Sequence, residues 1–379
     1  MLYATPELDA TDQAVLRGIY RRRDALASAM RVPKRWPGLL RRNLMARAIR
    51  GSNSIEGYVV ETDDAAAAVD YEEALTADER TFAEIRGYRQ ALGYVLTVAQ
   101  EAGAIDESTI KALHFMMLGH DLRKSPGQYR TGSIYVRDDA TGDTVYEGPG
   151  SEMVPALMAE LAESLGNDVE PIIAGAMAHL NLVMIHPFRD GNGRMARALQ
   201  TLMVSRGGIA EPPFCSIEEW LGANTEDYYR VLARSGSGSW SPEHDARLWL
   251  KFNLRAHDIQ AQTVEGRMRR TEEAWARLDQ VVAAHKLPDR VSDALYDALI
   301  GFRIRRHSYS TRAEIDDRTA TRDLKALTDL ELLSARGATN TRHYVAGDKL
   351  LALKIALRTD VPRQINDPYP RLRADLLTP

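Results

Sequence analysis

The chain of 379 residues has very little cysteine, since Cys215 is its only one. No intramolecular disulfide can form, which favours a reducing compartment and predicts a cytoplasmic protein. No apolar run approaches the roughly 18 residues of a membrane span. Residues 1–6 also lack the basic and apolar pattern of a secretory leader, so we expect neither secretion nor a membrane partner. A formal net charge of −4 excludes a strong overall attraction to nucleic acid.

Helical periodicity is what the sequence has in abundance. Apolar residues make up 44% of the chain and charged residues 27%, which is typical of a globular protein, and the length predicts two to three domains. Apolar residues recur at helical spacing in several segments, so the fold class is predicted to be mainly α. The predicted helices before the middle of the chain cover residues 11–31, 41–50, 81–102, 110–118 and 172–184. By contrast, the alternating Ser and Gly residues at 235–239 predict a flexible link.

One stretch of twelve residues, from His186 to Arg197, combines groups suited to holding nucleotide phosphates beside a reacting hydroxyl. The turn Gly191-Asn192-Gly193 can adopt backbone angles that other residues avoid, so its N–H groups can converge on an anion. Apolar spacing resumes after the turn, which predicts a helix whose N-terminus is itself an anion site.

The charged residues of this stretch have complementary tasks. Arg194 and Arg197 lie on neighbouring positions of one helix face, and each can fork onto phosphate oxygens. Asp190 is predicted to bind Mg²⁺, which carboxylates and phosphates commonly share. His186 can accept a proton from an attacking hydroxyl, and Pro187 predicts that the preceding helix ends there.

At these residues the chain resembles the Fic family, whose motif H-x-F-x-[D/E]-G-N-G-R-x-x-R is matched completely. The resemblance implies a helical core that transfers AMP from ATP to a Ser, Thr or Tyr hydroxyl of a target protein, and the chain itself is one candidate target. It makes His186 the general base and Asp190 the Mg²⁺ ligand. The phosphate-binding residues it implies are Gly191, Asn192, Gly193, Arg194 and Arg197.

Two further segments extend the resemblance. Ile134, Tyr135 and Val136 follow Gly127-Gln128-Tyr129-Arg130-Thr131 and resemble the family's β-hairpin flap, which clamps a target segment by strand addition. Alternating apolar residues on both sides of the turn Thr141-Gly142-Asp143 predict the same hairpin independently. Tyr228 and Tyr229 resemble an aromatic pair near the nucleotide base, although adjacent tyrosines are more often packing residues. His114 and His179 are interpreted as structural.

Upstream, residues 52–57 match the family's inhibitory pattern [S/T]-x-x-x-E-[G/N], with Ser52 and Glu56 at its fixed positions. The hypothesis is that Glu56 forms a charge-assisted pair with Arg197, so that ATP binds only unproductively. The alternative is an exposed glutamate near a helix end, followed by a glycine that stops the helix.

The C-terminal part resembles a winged helix. Helices are predicted over residues 291–302, 310–315 and 319–330, followed by strands around residues 332–334 and 343–345 that pair across Gly337-Ala338-Thr339-Asn340. The third helix resembles a recognition helix, so residues 285–350 are a candidate DNA-binding segment. Ten Lys/Arg against seven Asp/Glu over residues 303–349 give a net charge of only +3, and protein contact is equally expected.

Together these patterns predict an N-terminal helical region at 1–105, a Fic catalytic core at 106–260, a linker helix and winged-helix-like domain at 261–350, and a tail at 351–379. The predicted function is an autoinhibited protein adenylyltransferase that uses ATP and Mg²⁺ and, like many relatives, forms a homodimer. The alternatives are a nucleotide-sensing DNA-binding regulator and a Fic enzyme that transfers UMP, phosphate or phosphocholine, or removes AMP.

Overall fold

A computed structural model describes residues 1–30, 36–101, 103–137, 142–166, 169–207, 216–338, 341–358 and 365–377. Cys215 and the turn residues Thr141, Thr339 and Asn340 lie outside the described residues. The described chain is mainly helical, as predicted, with two short two-stranded sheets. It divides into two compact units, one formed by Met1–Ala29, Leu44–Gln262 and Asn366–Pro379, the other by Met30–Asn43 and Thr263–Ile365. The domain boundaries after residues 105, 260 and 350 stay predictions.

The first unit contains most of the helices. In chain order, the elements that contribute to it are α1 (Ala10–Met30), α2 (Trp36–Ile55), α3 (Thr62–Val69), α4 (Glu79–Ala99), α5 (Glu107–Leu118), β1 (Tyr135–Arg137), β2 (Thr144–Glu147), α6 (Val154–Ser164), α7 (Pro171–Ile185), α8 (Asn192–Arg206), α9 (Glu218–Ala223), α10 (Thr225–Gly236) and α11 (Arg247–Ala284). The unit boundaries fall within α2 and α11.

Helix α7 lies at the centre of this unit because it is apolar on nearly every face. Its one histidine, His179, is fully buried and bridges two polar side chains, with Nδ1 2.6 Å from Gln200 Oε1 and Nε2 2.9 Å from Tyr228 Oη. Trp249 of α11 packs edge-on against His179 and donates its indole N–H to the Ala176 carbonyl at 2.8 Å. These contacts satisfy the buried polar groups and confirm His179 as a structural residue.

Local signals set the ends of the helices around the site. The Glu170 carboxylate caps α7 by accepting from Ile173 N, and Pro171 occupies the first helical position, where no N–H is needed. The helix ends at His186, which takes a left-handed backbone conformation with φ 51° just before Pro187. Gly191 is also left-handed, at φ 77°, and α8 starts at the next residue. The predicted helix end and helix start are therefore both present, five residues apart.

The hairpin predicted at residues 134–145 is present as β1 and β2. They pair antiparallel, with Tyr135 opposite Glu147 and Val136 opposite Tyr146. Ile134 precedes β1, and its carbonyl accepts from Gly148 N at 3.2 Å. The Tyr146 hydroxyl donates to the Met184 carbonyl of α7 at 2.8 Å, which fixes the hairpin to the unit's core.

The flexible link predicted at residues 235–239 is wrong. Ser235 and Gly236 form the last turn of α10 and are both buried, and Ser235 Oγ donates to the Val231 carbonyl. A Cβ on Gly236 would lie 3.0 Å from both Met184 Sδ and the Tyr146 ring, so the small residues allow close packing here. Small side chains suit a crowded interface as well as a mobile linker, and composition alone does not separate the two.

The second unit contains α12 (Val291–Ile300), α13 (Arg306–Arg312), α14 (Asp317–Asp329), β3 (Leu333–Arg336), β4 (His343–Ala346) and α15 (Asp348–Arg358). Strands β3 and β4 pair antiparallel as predicted, and Ile304 adds a single bridge to Tyr344. Helix α13 begins four residues before its predicted start. Three helices and a hairpin agree with the predicted layout, while its identification as a winged helix stays a prediction.

After the second unit, α16 (Leu372–Leu377) returns to the first, where Tyr369 Oη donates to Asp12 Oδ1 at 2.7 Å. Arg255 pairs with Asp367 on the same segment at 2.8 Å. No helix in the described part of the chain combines the length and apolar character that a bilayer crossing requires.

We expect Trp249→Ala to lower the free energy of unfolding of the first unit by about 3–5 kcal/mol, because it leaves a cavity and removes the hydrogen bond from the indole N–H to the Ala176 carbonyl. Urea unfolding followed by circular dichroism measures this. Tyr135→Ala on the exposed face of the hairpin is the control and should change stability by less than about 0.5 kcal/mol. Equal losses in the two variants would contradict the central role of Trp249.

Candidate functional site

The loop between α7 and α8 is closed by its own asparagine. The Asn192 side chain accepts from Phe188 N and donates to the Phe188 carbonyl, both at 2.9 Å. Asn192 is buried, so its amide shapes the loop from within, while the backbone N–H groups of the turn lie at the start of α8. The role of Gly191, Asn192 and Gly193 as an anion nest stays a prediction.

His114 of α5 holds the same loop from the other side. Gly127 N donates to His114 Nδ1 at 2.8 Å, so the proton is on Nε2, which donates to the Asp190 carbonyl at 2.9 Å. Its ring stacks on Phe188 at 3.7 Å. Burial lowers the pKa of His114 to about 4, so the ring is neutral near pH 7. The structural role predicted for His114 is thus one of positioning the motif.

His186 lies at the end of α7 with its ring beside the loop. Nδ1 donates to the Val183 carbonyl at 3.2 Å, which leaves Nε2 as the unprotonated nitrogen of the neutral ring. Burial lowers the pKa of His186, so the neutral form is the dominant one at pH 7. The left-handed backbone at this residue is costly for a side chain with a Cβ, a feature that concentrates at functional sites.

Arg130 fixes the backbone of His186, a role that sequence reasoning missed. Its guanidinium donates to the carbonyls of His186 at 2.8 Å, Gly132 at 2.7 Å and Pro149 at 2.5 Å. The backbone N–H of Arg130 donates to the Pro187 carbonyl at 2.8 Å. Arg130 was noted only as part of the flap pattern. Its contacts tie the base of the hairpin to the end of α7.

The two motif glycines serve different purposes. Gly191 supplies the left-handed conformation, and a Cβ there would also lie 2.9 Å from Leu118 Cδ1. Gly193 is helical, but a Cβ there would lie 2.4 Å from Glu56 Oε1 and 3.1 Å from Arg197 Nη1. Only glycine at position 193 lets the Glu56 carboxylate approach the first turn of α8.

Arg197 is fully buried and is held by the end of α2. Its Nε donates to Ser52 Oγ at 2.7 Å, and its Nη2 donates to the Ser52 carbonyl at 3.0 Å and to Glu56 Oε1 at 2.7 Å. Burial alone would lower the pKa of Arg197, but the Glu56 carboxylate outweighs the effect of burial. The pKa of Arg197 therefore lies above the ordinary value for arginine. The structure thus brings Arg197 together with Ser52 and Glu56, which lie 145 and 141 positions before it along the chain.

Arg194 is also buried, against a partner that sequence reasoning missed. Its Nη1 lies 2.6 Å from Glu84 Oε2, and its guanidinium lies over the Tyr58 ring at 5.3 Å. Lys124 also pairs with Glu84 and reaches Asp190 Oδ2 at 2.8 Å. Glu84 and Tyr88 share the buried face of α4, so an acidic residue on an otherwise apolar stripe was the available signal.

Both motif arginines keep an unused donor. Arg194 Nε and Arg197 Nη1 are buried and have no hydrogen-bond partner among the described residues. Because arginine offers five N–H donors, each side chain still has a donor that its present contacts leave unpaired. These donors and the N-terminus of α8 favour an anionic ligand at this site.

The predicted aromatic pair is divided between the core and the surface. Tyr228 is buried and bonded to His179, whereas Tyr229 is half exposed and its hydroxyl donates to the Ile55 carbonyl at 3.0 Å. Tyr229 therefore touches the helix end that carries the inhibitory segment. Contact of either ring with a nucleotide base stays a prediction.

A buried carboxyl lies behind Arg197. Glu218 Oε1 accepts from the Tyr88 hydroxyl at 2.6 Å, and Oε2 has no hydrogen-bond partner within the described residues. Burial raises the pKa of Glu218 to about 7, although Tyr88 and Arg197 oppose that shift. Glu218 was not found from the sequence because nothing in its neighbourhood distinguishes it from a surface glutamate.

Glu218 predicts a specific pH dependence of stability. Because the pKa of the folded state is raised above its unfolded value to about 7, the contribution of this group is fully present below about pH 4.5 and is lost as the pH rises to about 7. We expect Glu218→Gln to remove that part of the slope, so its stability relative to wild type should improve from pH 5 to pH 8. Urea unfolding at both values measures it, and a constant difference would contradict the assignment.

Comparison with known proteins agrees with this geometry. The Fic/DOC family model matches residues 104–204. The protein adenylyltransferase Fic of Nematostella vectensis is 30% identical over 260 residues, which is 66% of this chain and 56% of that protein. The protein of the same name from Drosophila mojavensis is 30% identical over 161 residues, 42% of this chain and 30% of its own length. The chain thus spans about half or less of these curated relatives.

Solved structures share the fold. A Fic family protein from Desulfovibrio desulfuricans G20 aligns with a TM-score of 0.57 and 23% identity over 91% of this chain and 98% of its own. Fic-1 (residues 134–508) from C. elegans aligns with a TM-score of 0.53 and 23% identity over 69% of this chain and 73% of its own. With the intact motif and its helical setting, residues 104–204 of this chain form a domain that matches the Fic/DOC family.

Proposed function

We propose that this protein is a protein adenylyltransferase that moves AMP from ATP to a hydroxyl of a protein and is held in check by Glu56. The observation that carries the proposal is the arrangement of a neutral His186, the N-terminus of α8 and Arg197 around one short loop. The names of the curated relatives support the same activity.

The residues present suit a Mg²⁺ ion that is shared with substrate phosphates. Asp190 is a partly exposed carboxylate, and the described residues contain no cluster of three or more metal-binding side chains. Mg²⁺ is commonly bound by one or two carboxylates and the phosphates of the substrate, so Asp190 would hold it. When bound, the ion would neutralise charge on the phosphates.

The side chains of the loop would perform the transfer. The target hydroxyl loses its proton to His186 Nε2 while its oxygen bonds to the α-phosphorus, and the bond to the leaving pyrophosphate breaks. The Val183 carbonyl keeps the second ring proton on Nδ1. The unused donors of Arg194 and Arg197 and the N–H groups of α8 stabilise the phosphate oxygens.

The same contacts support the proposed inhibition by Glu56. Glu56 occupies one side of the Arg197 guanidinium, and Gly193 leaves room for its carboxylate above the first turn of α8. A phosphate that approached Arg197 there would meet a negative charge. The proposed resting state therefore admits ATP only in a pose that is wrong for transfer.

The target is proposed to be a protein segment, and the chain itself is one candidate. Strand β1 is exposed at Tyr135 and has no strand partner other than β2 in the described chain, so it can accept an extended segment. The homodimer and the cytoplasmic location stay predictions from the sequence.

The DNA-binding alternative has weaker support. Along α14 and its surroundings, Lys325 pairs with Asp329, Arg306 with Asp317 and Arg290 with Asp323. Cations that already have acidic partners attract a phosphate backbone less strongly. Transfer of a related phosphate-containing group would use the same residues, and the mass of the added group distinguishes it from AMP transfer.

We expect Glu56→Gly to speed self-modification with ATP and Mg²⁺ at least about tenfold, because it removes a charge-assisted contact to Arg197. Intact-protein mass spectrometry over time identifies the added group and its rate. Glu61→Gly, an exposed glutamate a few residues further on, is the matched control and should behave like wild type. Equal rates in all three proteins would rule out inhibition, and a mass other than that of AMP would rule out adenylyl transfer.

In the Glu56→Gly background, His186→Ala should reduce transfer by about 10²–10⁴-fold because the base is lost. ATP binding, measured by calorimetry, should stay within about twofold of the parent. His244→Ala, an exposed histidine, is the matched control. Full transfer by the His186 variant would overturn the mechanism.

The transfer rate of the Glu56→Gly variant should fall as the pH drops through the pKa of His186. Since burial lowers that pKa, kcat/KM should lose half its value at a pH below about 6.5, the ordinary value for histidine. A midpoint above that value would contradict His186 as a neutral base in the resting enzyme.

A further inference from the structure

A lysine ammonium lies on the carboxylate that is assigned to the metal. Lys124 Nζ is 2.8 Å from Asp190 Oδ2, and the other oxygen, Oδ1, accepts from Gly191 N at 2.7 Å. The Lys124 side chain is only 15% exposed whereas that of Asp190 is 39% exposed, so the ammonium is enclosed and the carboxylate stays accessible from solvent. An internal cation therefore already neutralises the one carboxylate of the motif.

The backbone on both sides of Lys124 is fixed. Residues Leu122–Lys124 form a short 3₁₀ turn capped by the Asp121 side chain, and Ser125 is left-handed at φ 52°. Two residues later, Gly127 N donates to His114 Nδ1, and Nε2 of the same ring donates to the Asp190 carbonyl. One imidazole thus sets the distance between the segment that carries Lys124 and the loop that carries Asp190.

The charges around Lys124 are balanced. Glu84 and Asp190 supply two negative charges, and Lys124 and Arg194 supply two positive ones, with His120 Nε2 3.2 Å from Glu84 Oε1. Burial alone would lower the pKa of Lys124, but the two carboxylates outweigh this and raise it, so the ammonium stays charged. A divalent cation at Asp190 would face a neutral cluster whose nearest member is another cation.

We propose that Lys124 is a built-in counter-cation that competes with the divalent metal for Asp190, so that metal and nucleotide enter the site together. The inference rests on the proposed role of Asp190. Nucleotide phosphates supply negative charge that can take both the metal and the displaced ammonium, whereas with the metal alone the displaced ammonium keeps only Glu84, which also pairs with Arg194. Asp190 keeps its orientation without Lys124, because Gly191 N still holds Oδ1.

The test measures Mn²⁺ binding to the full chain by the electron paramagnetic resonance signal of free Mn²⁺, with and without α,β-methylene-ATP. Without nucleotide, Lys124→Met should bind Mn²⁺ at least about fivefold more tightly than wild type. Adding the nucleotide analogue should tighten Mn²⁺ binding by a larger factor in wild type than in Lys124→Met. Lys124→Gln should follow Lys124→Met, and Lys124→Arg, which keeps the charge, should follow wild type.

Two controls isolate the Asp190 site. Arg123→Met removes the same charge one residue away, from a side chain that is 88% exposed, and should change Mn²⁺ affinity by less than about twofold. Asp190→Asn combined with Lys124→Met should abolish the gain. Unchanged or weaker Mn²⁺ binding in Lys124→Met, an equal gain in Arg123→Met, or a gain that survives Asp190→Asn would each overturn the proposal.

The readout also separates this inference from the proposed function. Mn²⁺ binding needs no AMP transfer. Tighter Mn²⁺ binding by Lys124→Met in a protein that never transfers AMP would contradict the proposed transferase function and support the role of Lys124 as a counter-cation. Active transfer with no change in Mn²⁺ affinity would do the reverse.

Discussion

The buried guanidinium of Arg197 is the constraint on which the site depends. A buried charge without a partner is strongly destabilising, so the first turn of α8 must lie against an anion and against hydrogen-bond acceptors. Ser52 and Glu56 supply them, and this fixes the end of α2 on α8. Tyr88 of α4 is buried as well, and its hydroxyl donates to Glu218 at 2.6 Å. Polar contacts therefore continue from the site into the core.

The loop that carries the chemistry is held by side chains that take no part in it. Asn192 closes the loop from within, His114 holds the Asp190 carbonyl, and Arg130 holds the carbonyl of His186. Each contact ends on a backbone atom, so the loop geometry is fixed independently of the functional side chains. The charge state of His186 and the ligands of the two arginines can therefore change without moving the loop.

The sequence predicted what local patterns encode. Pro187 and Gly191 mark the helix end and the helix start, and twelve contiguous residues supply the base, the carboxylate and both arginines. The mainly helical fold and the β3–β4 pairing followed from periodicity and turn residues. These features are short-range, so spacing along the chain is sufficient to predict them.

What the sequence did not predict depends on contacts between distant segments. Glu84 and Lys124 are 110 and 66 positions from their partners Arg194 and Asp190, and neither belongs to a motif. Their importance comes from being enclosed with opposite charges, which spacing does not encode. The prediction of a flexible link at residues 235–239 was wrong for the opposite reason. The composition is typical of linkers, but Gly236 packs closely against Met184 and Tyr146.

The resting site can be understood as one whose two functional charges each have an internal partner. Glu56 lies where an anion would contact Arg197, and Lys124 lies where a cation would contact Asp190. A free phosphate or a free metal ion exchanges with only one of these internal partners, and the displaced partner loses its ion pair in the site. A metal–nucleotide complex carries both charges and can exchange with both internal partners at once. If both pairs compete as proposed, the two oppositely charged contacts would select for the complex over either component, and selectivity would arise from charge balance before any base or sugar is recognised.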